Sequence, residues 1–99
     1  MSETKIVEMN DIKEVTPKKY KAIIHNDDTT SFDFVIFILS EVYRKSMDEA
    51  LVLTMQTHKE GQSIVTYGLK NYLETLSDRS MTLAKQYGFD EFTITNELD

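Results

Sequence analysis

The residues with the most capacity for chemistry stand together in one stretch, His25-Asn26-Asp27-Asp28-Thr29-Thr30-Ser31-Phe32. Asn and Asp favour turns because their side chains hydrogen-bond nearby backbone groups. A turn accounts for one or two such residues, not for six polar residues in a row. A histidine further along, His58, is the other group with acid–base capacity. Three chemistries compete. A calcium loop fails on spacing. Numbering an EF-hand from Asn26 or Asp27 puts Phe37 or Ile38 where the bidentate Glu belongs, and Ser31 or Phe32 where Gly belongs. Catalysis would need His58, Asp27 and Thr30 as base, orienter and nucleophile. No oxyanion motif and no Gly-rich phosphate loop accompanies them, so the chain does not read as an enzyme. Recognition of a cation fits better. Asn oxygen, carboxylate oxygen and neutral imidazole nitrogen are all acceptors. A cluster of Asn26, Asp27 or Asp28, and His58 would satisfy the three donors of a primary ammonium and balance its charge. Phe32, Val35 and a stripe on the helix that carries His58 could wall a small apolar pocket beside it. That pairing suits the free amino end of a polypeptide together with its first side chain.

The elements that must hold these groups follow from periodicity. Tyr20 to Ile24 alternates as a strand, with Tyr20, Ala22 and Ile24 on one face. The polar stretch then leads into a helix from about Phe32 to Arg44, capped by Thr30 or Ser31. Its expected core face is Val35, Ile36, Leu39, Val42 and Tyr43. Ser46 opens a second helix with Glu49 three residues on, the capping-box pattern, and Gly61 is its expected C-cap. On this helix Ala50, Thr54 and Thr57/His58 form a stripe with two hydroxyls and an imidazole. Residues 63–67 predict a strand. Gly68 is expected to open a third helix, with the stripe Leu69, Tyr72, Leu73, Leu76, Ser80, Leu83, Ala84 and Tyr87, ended by Gly88. Phe92 to Thr95 predicts a last strand. The expected fold is α+β: a small three-stranded antiparallel sheet with three helices packed on one side, in the order β-α-α-β-α-β. Residues 1–18 read as a flexible N-terminal arm, with a transient helix over 10–15, and residues 19–99 as the core domain. The charged residues at 8–14 and 96–99 read as solvated ends.

Composition narrows the function classes. The chain has 99 residues, no cysteine and a formal net charge of -6. That length supports one domain with one small core. Lack of cysteine removes disulfides, thiol nucleophiles and zinc–thiolate sites, and no metal or cofactor is expected. The acidic balance argues against nucleic acid and against anionic membranes as partners. No apolar run approaches the roughly 20 residues that span a bilayer. With no signal-peptide pattern at the N-terminus, a cytoplasmic location is expected, or an organellar stroma if a transit peptide has been removed.

The sequence Tyr20-Lys21-Ala22-Ile23-Ile24-His25-Asn26-Asp27-Asp28-Thr29-Thr30 resembles the ClpS family. Phe34-Val35, His58 with Gly61 three residues on, and Glu74-Thr75 add to that resemblance. It runs from about residue 19 to the end. It implies an adaptor that binds substrates bearing an N-degron and delivers them to the Clp AAA+ unfoldase, ClpA or ClpC. It implies that Asn26, Asp28 and His58 contact the α-amino group, with Asp27 close by. It also implies that Thr30, Phe32, Val35, Thr54 and Thr57 border the pocket for the first side chain. The arm would help in handing substrate to the unfoldase. Four positions near the site depart from the family's usual residues, and a fifth lies elsewhere: Ser31 for Pro, Phe32 for a Met, Thr54 for Met or another apolar residue, and Thr57 for Val. Leu76 replaces a usual Lys on the helix facing the unfoldase. The expectation is therefore N-end recognition with an altered side-chain preference. The rival expectation is a non-catalytic protein-interaction domain of the same fold without amine recognition. The C-terminal domain of the ribosomal stalk protein has a similar small architecture, so fold alone does not separate the two.

Overall fold

The computed structural model describes residues 4–7, 12–15 and 17–99. β1 (Thr4–Val7) and β2 (Ile12–Val15) pair as an antiparallel ribbon, with Thr4 opposite Val15 and Val7 opposite Ile12. The helix expected over 10–15 is therefore strand from Ile12 to Val15, where two β-branched residues favour extended backbone. The expected flexibility of the arm over 1–18 turns on segments that lie outside the described residues.

The core follows the expected element order. β3 (Lys19–His25), α1 (Phe32–Glu41), α2 (Met47–Glu60), β4 (Gln62–Leu69), α3 (Lys70–Gln86) and β5 (Thr93–Leu98) succeed one another. β3 lies between β4 and β5 and is antiparallel to both. Its inward face is the predicted one: Ala22 and Ile24 are fully buried, and Tyr20 packs against the same core. Ile23 points to the other face yet is also buried, because it is opposite Ile64 on one neighbour and Thr95 on the other. Between Ala22 and Ile23 the register with β4 shifts: Ala22 pairs with Thr66 and Ile23 with Ile64. Val65 is the extra residue of this bulge, and it is buried in the core.

The helices correct several details. Ser31 caps α1, its hydroxyl accepting from the Phe34 N–H at 3.1 Å. α1 ends at Glu41 rather than Arg44, because Arg44 adopts a left-handed φ of 59°. Its buried residues are Phe34, Ile38 and Leu39, while Val35 and Ile36 are only half-buried. An aromatic cluster sets that phase. The Phe34 ring lies 4.8 Å from Phe89, 5.5 Å from Tyr87 and 5.6 Å from Phe92. α2 has the expected capping box between Ser46 and Glu49, and Gly61 ends it at φ 92°.

Gly68 does not open α3. It stays inside β4, where an added Cβ would come within 3.3 Å of the Tyr72 ring and 3.4 Å of Leu73. α3 begins at Lys70, and its buried line is Leu73, Ser77, Ser80 and Ala84. Leu69, Tyr72 and Tyr87, expected on the core stripe, are exposed. Small residues on the buried line let α3 lie close to the sheet. There Asn96 Nδ2 donates to Ser77 Oγ at 3.0 Å. β5 starts one residue later than expected and continues to Leu98, so residues 96–98 belong to the sheet rather than to a solvated end.

Candidate functional site

The site begins where β3 runs out. After His25 the chain leaves the sheet, and the Asn26 N–H donates to the Gly61 carbonyl at 2.9 Å. Gly61 in turn donates to the Thr57 carbonyl at 2.9 Å, closing α2. That pair of bonds joins the end of β3 to the last turn of α2, the turn that carries Thr57 and His58. Gly61 can do this because it tolerates φ 92°, where an L side chain is strained.

The next residue organises the hinge. Asp27 Oδ1 accepts from the Thr29 N–H at 2.9 Å, the Thr29 hydroxyl at 3.2 Å and the Thr30 N–H at 2.7 Å. Its Oδ2 accepts from the Thr30 hydroxyl at 2.8 Å. Partial burial pushes the Asp27 carboxyl up. The donors on Thr30 and Thr29 outweigh that and hold it below its usual value. Asp27 thus knits the turn whose other side starts α1.

From this hinge, α1 and α2 converge on a shallow recess. It is lined by His25, Asn26, Asp27, Thr30, Phe32, Val35, Thr54, Thr57 and His58. The residues expected from sequence at the amine end and in the side-chain pocket are therefore together, with one exception. Asp28 is exposed and stands outside the lining. His25, which had no place in the expected amine cluster, also lines the recess, and its Nε2 is 2.7 Å from Thr95 Oγ1. The one signal for it in the sequence was its place next to Asn26. The residues just before β5 add nothing to the lining: Phe92 lies in the core.

The recess is nearly filled. Its free volume is about 10 Å³, close to what one water needs. Phe32 closes it, with its ring edge-on to His58 at a centroid distance of 5.0 Å. Phe32 remains 42% exposed, so its ring is free on the outer side. Thr54 and Thr57 form the buried wall, each hydroxyl donating to a carbonyl of α2, Ala50 and Leu53 respectively. The arrangement offers hydrogen-bond acceptors at one end and, behind an aromatic cover at the other, a slot walled by Val35 and the two buried threonines.

Known proteins share this chain's sequence pattern and fold. Residues 15–93 match the family model of the ATP-dependent Clp protease adaptor protein ClpS. The ATP-dependent Clp protease adapter protein ClpS of Nautilia profundicola is 36% identical over 95 residues, covering 96% of this chain and 98% of that protein. The protein of the same name from Helicobacter hepaticus is 35% identical, covering 83% of each. Among solved structures, Agrobacterium tumefaciens ClpS2 bound to L-phenylalaninamide superposes with a TM-score of 0.80 at 32% identity, covering 84% of this chain and 99% of that one. The family match spans the hinge, both helices that wall the recess and strands β3 and β4 beneath them, and on that basis the chain belongs to the ClpS family of Clp protease adaptor proteins.

Proposed function

We propose that the recess binds the free amino end of a polypeptide. Asn26 and His58 accept hydrogen bonds from the α-ammonium, and Asp27 and Asp28 balance its charge. The first side chain enters between Thr30, Phe32, Val35, Thr54 and Thr57. The protein then hands the bound chain to the AAA+ unfoldase of the Clp protease, ClpA or ClpC, in the cytoplasm. One observation carries this reading: the Asn26–Gly61 bond draws the strand end to the α2 turn that bears His58, directly beside the covered apolar slot. A solved relative that holds an amino-acid amide supports it.

The magnitudes are adequate. Burying one Leu or Phe side chain contributes about 1.5–3 kcal/mol, and each hydrogen bond to a charged group about 1.5–3 kcal/mol. Micromolar affinity corresponds to about -8 kcal/mol. One slot and a few amine bonds reach that value when the acceptors are already in position, so that little ordering cost remains. The test is fluorescence anisotropy with peptides that differ only in residue one, each free and N-acetylated. Acetylation removes the charge and donors and leaves the side chain. Binding of bulky first residues that acetylation abolishes is the expected result. Binding indifferent to acetylation would instead mark an interaction domain without amine recognition.

A further inference from the structure

The wall of the recess carries three hydroxyls, and none of them has a proton to give. A hydroxyl holds one donor and two acceptor lone pairs. Thr54 Oγ1 donates to the Ala50 carbonyl at 2.7 Å and Thr57 Oγ1 to the Leu53 carbonyl at 2.7 Å. Thr30 Oγ1 donates to Asp27 Oδ2 at 2.8 Å. Thr54 and Thr57 are 3% and 4% exposed, so water does not readily compete for them. What these side chains can still offer a guest is γ-methyl surface and acceptor capacity.

We infer that the recess prefers, among bulky first side chains, one with a hydrogen-bond donor on its ring: the phenol of tyrosine or the indole N–H of tryptophan, ahead of phenylalanine and leucine. The inference rests on the amine-binding reading above and names the substrate class for the same recess. The sign of the preference is diagnostic. In a wholly apolar pocket, tyrosine binds less well than phenylalanine, because its hydroxyl loses water without compensation. Against an acceptor-only wall the phenol regains a partner and the order reverses. The size of the reversal is modest. Phenylalanine leaves only lone pairs unmet on hydroxyls that already bond through their proton, so it is not strongly rejected. One net neutral hydrogen bond corresponds to roughly a threefold to tenfold difference in Kd.

The experiment compares four peptides identical except for Phe, Tyr, Trp or Leu at residue one, free and N-acetylated, with the full chain. The expected result is Tyr tighter than Phe by about threefold to tenfold, with both lost on acetylation. In the double variant Thr54→Val and Thr57→Val, which keeps shape and removes the lone pairs of the two buried hydroxyls while leaving Thr30, the Tyr-to-Phe ratio should fall toward one. The wild-type ratio stands without the variant, whose folding circular dichroism checks. Phe equal to or tighter than Tyr, with acetylation still abolishing binding, overturns the preference and leaves the amine reading intact. An unchanged ratio in a folded double variant overturns it as well. Failure of every free peptide to bind overturns both.

Discussion

The two ends of the recess are built on opposite principles. At the amine end the backbone is tied down: Asp27 accepts four hydrogen bonds across the turn, and Asn26 is bonded to the C-cap of α2. At the side-chain end the cover is one aromatic ring, half exposed, resting edge-on against His58. Hydrogen bonds are directional and fix position, whereas an aromatic edge contact is worth only about 0.5–1.5 kcal/mol and is easily exchanged for another. The amine is the same in every polypeptide, so acceptors for it can be rigid. The side chain varies, so what covers it must be able to move. In this state Phe32 leaves about 10 Å³ free, so a guest has to displace it.

That contrast can be broken hardest at His58, which in the proposed reading serves both ends. Its replacement in His58→Ala removes the proposed amine acceptor and the surface on which Phe32 rests. A loss of about a hundredfold in peptide affinity is expected from one charge-assisted bond plus the lost aromatic contact. Anisotropy titration reads it, and an unchanged affinity would remove His58 from the site.

Asp27→Ala is next. It strips the turn of its acceptor and should weaken all free-amine peptides by a common factor of about tenfold or more, whatever their first residue. A loss confined to some first residues would mean that Asp27 acts in the side-chain pocket instead. The same group carries a pH signature. Its carboxyl is held below the usual value in the folded chain, so the ionised form is favoured by folding. The stabilisation is complete above the unfolded value and is lost as pH falls through the lowered folded one. Amide resonances of Thr29 and Thr30 should therefore titrate below the ordinary carboxylate value of 3.8, and Asp27→Asn should abolish that titration.

Gly61→Ala forces a side chain into φ 92°. A stability loss of about 1 kcal/mol or more is expected, read by thermal unfolding. With it should come a uniform severalfold drop in peptide affinity as Asn26 and His58 lose register. A loss of stability without any change in affinity would mean that the Asn26–Gly61 bond does not position the amine site.

The smallest effect belongs to Phe32→Ala. It opens the cover and leaves the amine end alone, so affinity for the best peptide should change by less than about tenfold while the range of accepted first residues widens. A collapse of all binding would show that Phe32 is a structural part of the amine site and would erase the contrast between the ends.

Most of the fold could be seen in the sequence where a residue type has one dominant local use. Gly61 and Gly88 ended helices as expected, and Ser46 with Glu49 made its capping box. The misses share a cause. The buried phase of α1 moved to Phe34 and Ile38 because rings from the chain's far end, Phe89 and Phe92, meet it there. The buried line of α3 took in Ser77 beside the expected Ser80 and left out Tyr72 and Tyr87, because closeness to the sheet selected small residues over bulky ones. At the site, Thr54 and Thr57 were legible as hydroxyls on a helix stripe. That their protons turn back onto α2 was not, since a threonine on a helix can donate to a carbonyl four residues earlier or to a guest.

Taken alone, the sequence determined the element order of the core over residues 19–99, the hinge between strand and helix, and the residue types able to meet an ammonium. These depend on turn chemistry, helix caps and periodicity, which act over a few residues. Only the tertiary structure decided that Asn26 is bonded to Gly61, that Asp28 stands outside the recess while Asp27 knits the turn, and that Phe32 lies on His58. The Asn26–Gly61 and Phe32–His58 contacts join groups tens of residues apart. Which carboxylate faces the recess depends on how the whole hinge is set against α2. Such choices are made by packing, because only the assembled core fixes which of several locally acceptable partners lies within a few ångströms.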